Sequence, residues 1–387
     1  MGDDTQGMPP ETEEAGELTV APLELFFDLV FVFAITQVAS LLRADHTLAG
    51  FGRGALILAM VYWGWSLFTW ALNATGTRRL FVRLGLLTSM ATILLMAIVI
   101  PDAFGDRGAY FAAAYFVYRI IGTVVYYLSA APDQRVALAT FFPTATVAAA
   151  IALAGGFAGE EIRPWIWLAS LVIDFAATKA AERADWHLQP GHFAERYGLL
   201  VIVALGETVI AIGVGLSGAD VSLSLGLTLV AGFAAVAALW WSYFDWMANA
   251  VEAHLRSLSG IPQGMFARDA YTLVHLPLIS GIVLFSVALE EITAHPGDSL
   301  EAYGRWVLAA GIGLVLFGFV AVAYRFARRF PLERIAAAGL IALLALLGDG
   351  VAARTLLILV ATILVVALLV ETLRWRAENP EKYASLH

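Results

Sequence analysis

The chain has 387 residues, is 60% hydrophobic and only 14% charged, a balance that excludes an ordinary soluble domain of this size. It has no cysteine, so disulfides, thiolate metal sites and cysteine nucleophiles are excluded. The net charge of −9 and the lack of a basic tract leave no footprint for nucleic acid.

Residues 1–21 carry Asp3, Asp4, Glu11, Glu13, Glu14 and Glu17 with no Lys or Arg. That composition predicts a disordered acidic tail. It lacks the basic n-region of a cleavable signal, so the first span is expected to be retained. Beyond the tail, apolar runs recur along the chain, broken by short polar loops. A run of about 20 apolar residues can cross the hydrocarbon core. About twelve spans are predicted, near 22–42, 52–73, 80–100, 109–130, 136–155, 164–183, 195–216, 221–246, 267–291, 303–325, 332–348 and 352–373. The span at 332–348 is short enough to be re-entrant. Residues 377–387 form a polar C-terminal tail.

Loop charge gives the expected orientation. With the N-terminus inside, most of the Lys and Arg fall in cytoplasmic segments. Only Arg43, Arg53, Arg107, Arg163, Arg305 and Arg354 fall outside, and Arg119 lies within a span. Lys and Arg favour the cytoplasmic side, so both termini are expected there.

The first span reads LELFFDLVFVFAITQVASLL over 23–42. Glu24 and Asp28 stand four apart, on one face of a helix. Ionised carboxylates at bilayer depth are costly and are rarely left facing lipid. Protein or enclosed water has to receive them.

An internal duplication is visible. WGWSLFTWALNA at 63–74 matches LWWSYFDWMANA at 239–250 without gaps, pairing Trp65 with Trp241, Trp70 with Trp246 and Asn73 with Asn249. The preceding spans align in the same order, Glu24 with Glu195, Leu29 with Leu200 and Val38 with Val209. The expected fold is an all-α membrane protein of about twelve transmembrane helices. It divides into two parallel six-helix repeats, over 22–185 and 186–376. Such halves are related by an axis along the membrane normal, an arrangement common in transporters.

Several polar residues fall inside spans. Asp245, Asn249 and Glu252 make one stripe at the end of span 8, with Thr69 and Asn73 as first-half counterparts. His275, followed by Pro277, opens span 9. Together with Glu24 and Asp28, these positions are expected to line a polar, cytoplasm-facing cavity that binds substrate. The alternative is that Asp28 and Asp245 only bond neighbouring helix ends. Glu207 lies near the midplane of span 7, beside Gly206, Gly213 and Gly215, glycines that permit close helix approach. It fits a proton or cation coupling site, or else a hydrogen bond to a neighbouring helix. Arg119 and Asp174 sit near the middles of spans 4 and 6. They are expected to pair with each other or with Glu207, as a structural ion pair or as part of the coupling.

The segment HLQPGHFAERYG at 187–198 leads into span 7 and carries His192, Glu195 and Arg196. His192 and Glu195 have a spacing that metal ligands use, but no third ligand accompanies them. A capping role is the expectation, with no metal and no cofactor. Glu290 and Glu291 mark the outer end of span 9, and Glu371 the end of the last span.

These blocks resemble the low temperature requirement A (LtrA) family. The likeness rests on ELFFDLVFVFAI at 24–35, HFAERYGLLVIVALGETVIAIG at 192–213, WWSYFD at 240–245, and the His275/Pro277 segment leading to Glu290. It covers nearly the whole membrane region. It implies a polytopic protein of the bacterial inner membrane. Glu24, Asp28, His192, Glu195, Arg196, Glu207, Asp245 and His275 match the family's polar signature, without assigned roles. The first span is also distantly similar to that of a class of cation channels with six-helix repeats, where Phe-Ser-Asp replaces Phe-Phe-Asp.

The leading expectation is a proton- or cation-coupled secondary transporter of a small solute in the cell membrane. The lipid bilayer, the solute and protons are its expected partners. A cation channel, a membrane-embedded enzyme acting on lipid, and a membrane sensor are the alternatives.

Overall fold

A computed structural model describes residues 19–180, 186 and 188–378. The acidic tail before Leu18, most of the link between the two expected repeats, and residues 379–387 lie outside the described residues. Within them the chain is helix and short connection. An isolated antiparallel bridge joins Ser299 and Ala352.

The helices are α1 (Pro22–Ala44), α2 (Leu48–Thr75), α3 (Leu80–Val99), α4 (Gly108–Ser129), α5 (Pro132–Gly156), α6 (Arg163–Ala180) and α7 (Pro190–Gly215). They continue with α8 (Leu223–Trp241), α9 (Asn249–Ser257), α10 (Gly260–Phe266), α11 (Val274–Ala294), α12 (Ala302–Ala327), α13 (Leu332–Leu347) and α14 (Ala353–Glu378). A π-helical segment, Ser242–Ala248, fuses α8 to α9, and another, Ala267–Leu273, fuses α10 to α11. Two continuous rods of 35 residues result, Leu223–Ser257 and Gly260–Ala294. Between them the chain reverses at Gly260, whose φ of 61° is cheap only for glycine.

Local chemistry explains the helix starts. Pro22, Pro132 and Pro190 open α1, α5 and α7, where a missing N–H costs nothing and the fixed φ already suits a helix. Thr47 caps α2 by accepting from Gly50 N–H at 3.0 Å, and Ser222 caps α8 by accepting from Leu225 N–H at 3.2 Å. In both cases a side-chain oxygen satisfies a backbone donor that the first turn leaves open.

A helix stands at each of the twelve expected spans. Among the described residues, nine are long and apolar enough to cross a membrane. Of the three outside that set, α13 has 16 residues, and α5 shows a shorter apolar stretch, Phe141–Gly156, among the described residues. Large apolar side chains such as Leu29, Leu95, Val230, Phe233, Leu346 and Leu373 are exposed on the outer faces, as lipid contact requires and water would penalise.

Helix α2 is the most enclosed of the membrane-length helices, and α14 the least. Helix α1 packs on α2 and α3, then α3 on α4, α4 on α5, α5 on α6, and α6 returns to α2. Later in the chain, α7 packs on α8, α9 and α11, then α11 on α12, α12 on α13, α13 on α14, and α14 returns to α8. The two groups meet where α1 and α2 touch α7 and α11.

Of the expected glycines, Gly215 sits at a close helix approach, against Thr293 and Glu290 of α11, and Gly206 and Gly213 do not. A Cβ on Gly206 or Gly213 would meet nothing within 4 Å. Gly215 does lie against Glu290 O, 2.8 Å from its would-be Cβ. A second tight crossing is α11 on α12. A Cβ on Gly281 would stand 2.5 Å from Gly311 O, and one on Gly311 would stand 2.7 Å from Phe285 N.

Candidate functional site

The first two turns of α1 and α7 meet, and their charged residues form one buried cluster. Arg196 donates twice to Asp28, Nη1 to Oδ2 at 2.9 Å and Nη2 to Oδ1 at 2.8 Å. Nη1 also donates to the Glu24 carbonyl at 3.0 Å. Trp65 Nε1 on α2 donates to Asp28 Oδ1 at 2.8 Å. The guanidinium lies 5.6 Å from the Trp65 ring centroid and 6.0 Å from that of Phe27. Two parallel charge-assisted bonds and a ring face are a favourable setting for a buried arginine.

His192 completes the cluster, and its tautomer follows from its neighbours. Asn73 Oδ1 accepts from Gln189 N–H at 2.9 Å, which turns the Asn73 amide nitrogen toward His192 Nδ1 at 3.2 Å. An amide nitrogen can only donate, so Nδ1 accepts. In the neutral ring the proton then sits on Nε2, which faces Glu24 Oε2 at 3.1 Å. Glu24, Asp28, Arg196, His192 and Asn73 are all essentially inaccessible. Two carboxyl groups therefore share one permanent cation, with the His192 ring beside Glu24.

A layer of hydroxyls and rings adjoins this cluster. Tyr197 OH lies 2.8 Å from Thr272 Oγ1 and 3.3 Å from Ser66 Oγ. Trp70 Nε1 donates to Thr272 Oγ1 at 2.9 Å, and Tyr62 OH to the Thr272 carbonyl at 2.7 Å. His275 stands between three tyrosines. Its Nε2 is 2.8 Å from Tyr243 OH, and its ring stacks on Tyr271 at 5.5 Å and meets Tyr197 edge-on at 5.0 Å. Tyr243 and Tyr271 belong to the two π-helical segments, whose wider turns bring both to the same histidine. Insertions of this kind recur at functional sites.

Beyond Ser66 and Thr272 opens a cavity of about 90 Å³. Its wall includes Trp63, Trp70, Tyr126 and Trp186, with Arg119 also lining it. Arg119 Nη1 contacts Asp174 Oδ2 at 2.5 Å and Tyr115 OH at 3.2 Å. Arg119 and Asp174 thus pair with each other, the first of the two expected arrangements, and Glu207 is not their partner. Arg119 Nε is buried with no hydrogen-bond partner.

Glu207 is buried on α7 and meets Thr36 of α1, Oγ1 to Oε2, at 2.7 Å. No described Lys, Arg or His pairs with it.

The expected convergence of Asp28, Asp245, Asn249 and His275 in one polar cavity does not occur. Asp245 is exposed and accepts from Trp241 Nε1 at 3.0 Å. Asn249 is exposed and donates to the Phe244 carbonyl at 3.2 Å. Glu252 pairs with Arg256 at 2.7 Å. The π-helical segment changes the turn that the α-helical spacing assumed, so the stripe faces outward. Its first-half counterparts Thr69 and Asn73 are buried. His275 is buried 2.8 Å from Tyr243 OH, away from any carboxylate bond. Glu195 is exposed and accepts from Val20 N–H at 3.2 Å, so it does not stand with His192. No described group of His, Asp and Glu has the arrangement of a metal site. At the margins Glu290 pairs with Arg43 at 2.9 Å and Glu371 with Arg334 at 3.0 Å.

Sequence reading missed Thr36, Ser66, Trp65, Trp70, Tyr197, Tyr243 and Thr272 as site residues. Trp65 and Trp70 stood in the duplicated block and Tyr197 beside Arg196. Those positions were the available signal. Thr272 and Thr36 carried none.

Buried charges carried on long apolar helices define a multi-pass α-helical membrane protein. The model of the bacterial low temperature requirement A protein (LtrA) family matches residues 19–370, and the chain belongs to that family. It is also 30% identical, over 307 residues, to an uncharacterized protein of Rhizobium meliloti (strain 1021), RA0937. That match covers 76% of this chain and 74% of the relative. No solved structure matches the chain.

Proposed function

We propose that this protein is a proton-coupled secondary transporter of a small solute in the cell membrane, with Glu207 as the coupling carboxylate. The observation that carries this reading is the Thr36–Glu207 contact. A buried acid faces a hydroxyl on another helix, with no described cation beside it. A protonated carboxyl is tolerable in that setting. An ionised one needs water, a cation or a new partner. Loss of the proton therefore favours a rearrangement between α1 and α7, and return of the proton favours the packed state. Such an exchange couples proton movement to conformation.

The Glu24–Asp28–Arg196–His192 cluster adds a second buried polar contact between the same two helices, α1 and α7.

The proposed architecture is two parallel six-helix repeats, twelve crossings and both termini cytoplasmic. Support comes from the packing order. In each half the first helix touches the second and third, the third touches the fourth, and the chain of contacts closes from the sixth back to the second.

The test uses purified protein in sealed liposomes with pH- and potential-sensitive dyes. Gradient- or solute-dependent proton movement is expected in the wild type and is lost in Glu207→Gln. Full coupled transport by Glu207→Gln would overturn the role given to that residue. Potential-driven flux without coupling would replace the transporter with a channel.

A further inference from the structure

We propose that the aromatic cavity beside Arg119 binds a small zwitterion that joins a quaternary ammonium to a carboxylate, such as a fully N-methylated amino acid. This inference rests on the transporter reading and names the substrate class of that transporter.

The size of the cavity sets the scale. About 90 Å³ holds roughly six to nine water-sized spheres, taking about 10–15 Å³ for each. That suits a small methylated amino acid.

The wall sets the chemistry of one end. Trp63, Trp70, Tyr126, Phe141 and Trp186 line the space. Their rings are held in place. Trp70 is tied to Thr272 at 2.9 Å and meets Trp186 edge-on at 5.9 Å, and Trp63 packs on Phe175 at 4.1 Å. No carboxylate is among the described lining residues. A primary ammonium has three N–H donors that need acceptors, and among the described lining side chains these are the neutral hydroxyls of Ser66, Tyr126, Thr178 and Thr272. A quaternary ammonium has no donor to satisfy and is held by ring faces, as in aromatic cages.

Arg119 sets the chemistry of the other end. Its side chain lines the space together with Arg268, which pairs with Asp269 at 2.6 Å, while Arg119 Nη1 is committed to Asp174 and Tyr115. A ligand carboxylate at this end meets two guanidiniums. The Asp174 charge keeps Arg119 from repelling the ammonium end. Ser66 and Thr272 then link the bound solute to Tyr197, next to Trp65 and the acid cluster.

The experiment measures equilibrium binding to the purified full-length protein in detergent. Three probes separate the terms: trimethylglycine, its uncharged-body isostere 3,3-dimethylbutanoate, and choline, which lacks the carboxylate. Trimethylglycine is expected to bind, and each of the others at least about tenfold more weakly. Trp63→Leu is expected to lose about tenfold, with Trp63→Phe staying within about threefold because a ring face remains. Size-exclusion profile and thermal unfolding check that both variants fold. Equal binding of 3,3-dimethylbutanoate overturns the ammonium site, and no binding of trimethylglycine to folded wild type overturns the proposal entirely. Binding without coupled proton movement in liposomes supports this site while removing the coupling reading. Proton movement driven by another solute, with no trimethylglycine binding, leaves the coupling and removes the site.

Discussion

Thr36 on α1 and Glu207 on α7 lie 2.7 Å apart, with 171 positions of sequence between them. That separation is also the one that lays Glu24 on Glu195 and Leu29 on Leu200. Corresponding positions of the two aligned helices therefore touch. A hydroxyl stands in one and a carboxyl in the other. If the chain arose by duplication, this is where two like positions faced each other and then diverged. Thr36→Val keeps the shape and removes the hydroxyl, leaving the buried acid without that partner. The expected loss is about 1–3 kcal/mol, read as a lower midpoint of thermal unfolding in detergent. Thr36→Ser is expected to hold near wild type. A Val variant as stable as wild type would show that Glu207 does not depend on this contact.

Arg196 and Asp28 join the two helices at their second turns. Removing one member of a buried pair strands the other, at a cost of about 3–5 kcal/mol. Arg196→Met is therefore expected to be strongly destabilised. Adding Asp28→Leu removes the stranded charge and is expected to recover part of the loss. Recovery stays incomplete because Glu24 still lacks Arg196 Nε, 3.6 Å away in the wild type, and keeps His192 and the Ala21 N–H. The measurement is the thermal midpoint of both variants beside wild type. A double variant less stable than the single one would reject this account.

The fold was legible where periodicity and length govern it. The chain is helical over the expected apolar runs, with nine helices among the described residues long and apolar enough to cross a membrane, and Arg119 and Asp174 pair across α4 and α6. Family membership was legible from residue blocks in order. What the sequence hid was depth and facing. The duplicated blocks look alike, yet Trp65 is fully buried while Trp241 is half exposed, and Asn73 is buried while Asn249 is exposed. Those differences come from which helices cover each copy, which a single sequence does not encode locally. The π-helical segments were invisible for a related reason. Tertiary contacts around His275 select them, and SYFDWMA has no propensity signal that marks an i→i+5 turn. Thr272 and Thr36 looked like ordinary polar punctuation in apolar helices. Their importance lies in distant residues, Tyr197 and Glu207.

The glycines separate packing from accident. Gly281 and Gly311 face each other where α11 crosses α12, and a Cβ on Gly281 would stand 2.5 Å from a backbone oxygen. Backbone cannot yield as a side-chain tip can, so Gly281→Ala is expected to cost about 1–3 kcal/mol through overpacking. Gly213→Ala is the matched control, since nothing lies within 4 Å of its Cβ position. It is expected to be neutral, or more stable by up to about 1 kcal/mol, because alanine is the better helix former. Thermal unfolding of the two variants side by side checks the contrast. Equal midpoints would mean that the α11–α12 crossing is looser than its geometry implies.

Asn73 tests how the acid cluster is held. Its amide is fixed by Gln189, and this fixes His192 as the acceptor at Nδ1 and the donor at Nε2. Asn73→Leu fills similar space and removes the donor, leaving Nδ1 buried with no partner. The expected cost is about 1–3 kcal/mol, with loss of the preference for the Nε2–H tautomer. Side-chain ¹⁵N spectra of histidine-labelled protein report that preference directly, and His192→Gln identifies the signal. In the wild type the neutral ring is expected to show a protonated Nε2 and an unprotonated Nδ1. In Asn73→Leu the two tautomers become mixed, because neither ring nitrogen is then dictated by a fixed amide. An unchanged spectrum would mean that Glu24 alone orients the ring, and that α2 contributes packing to the cluster without setting where its proton lies.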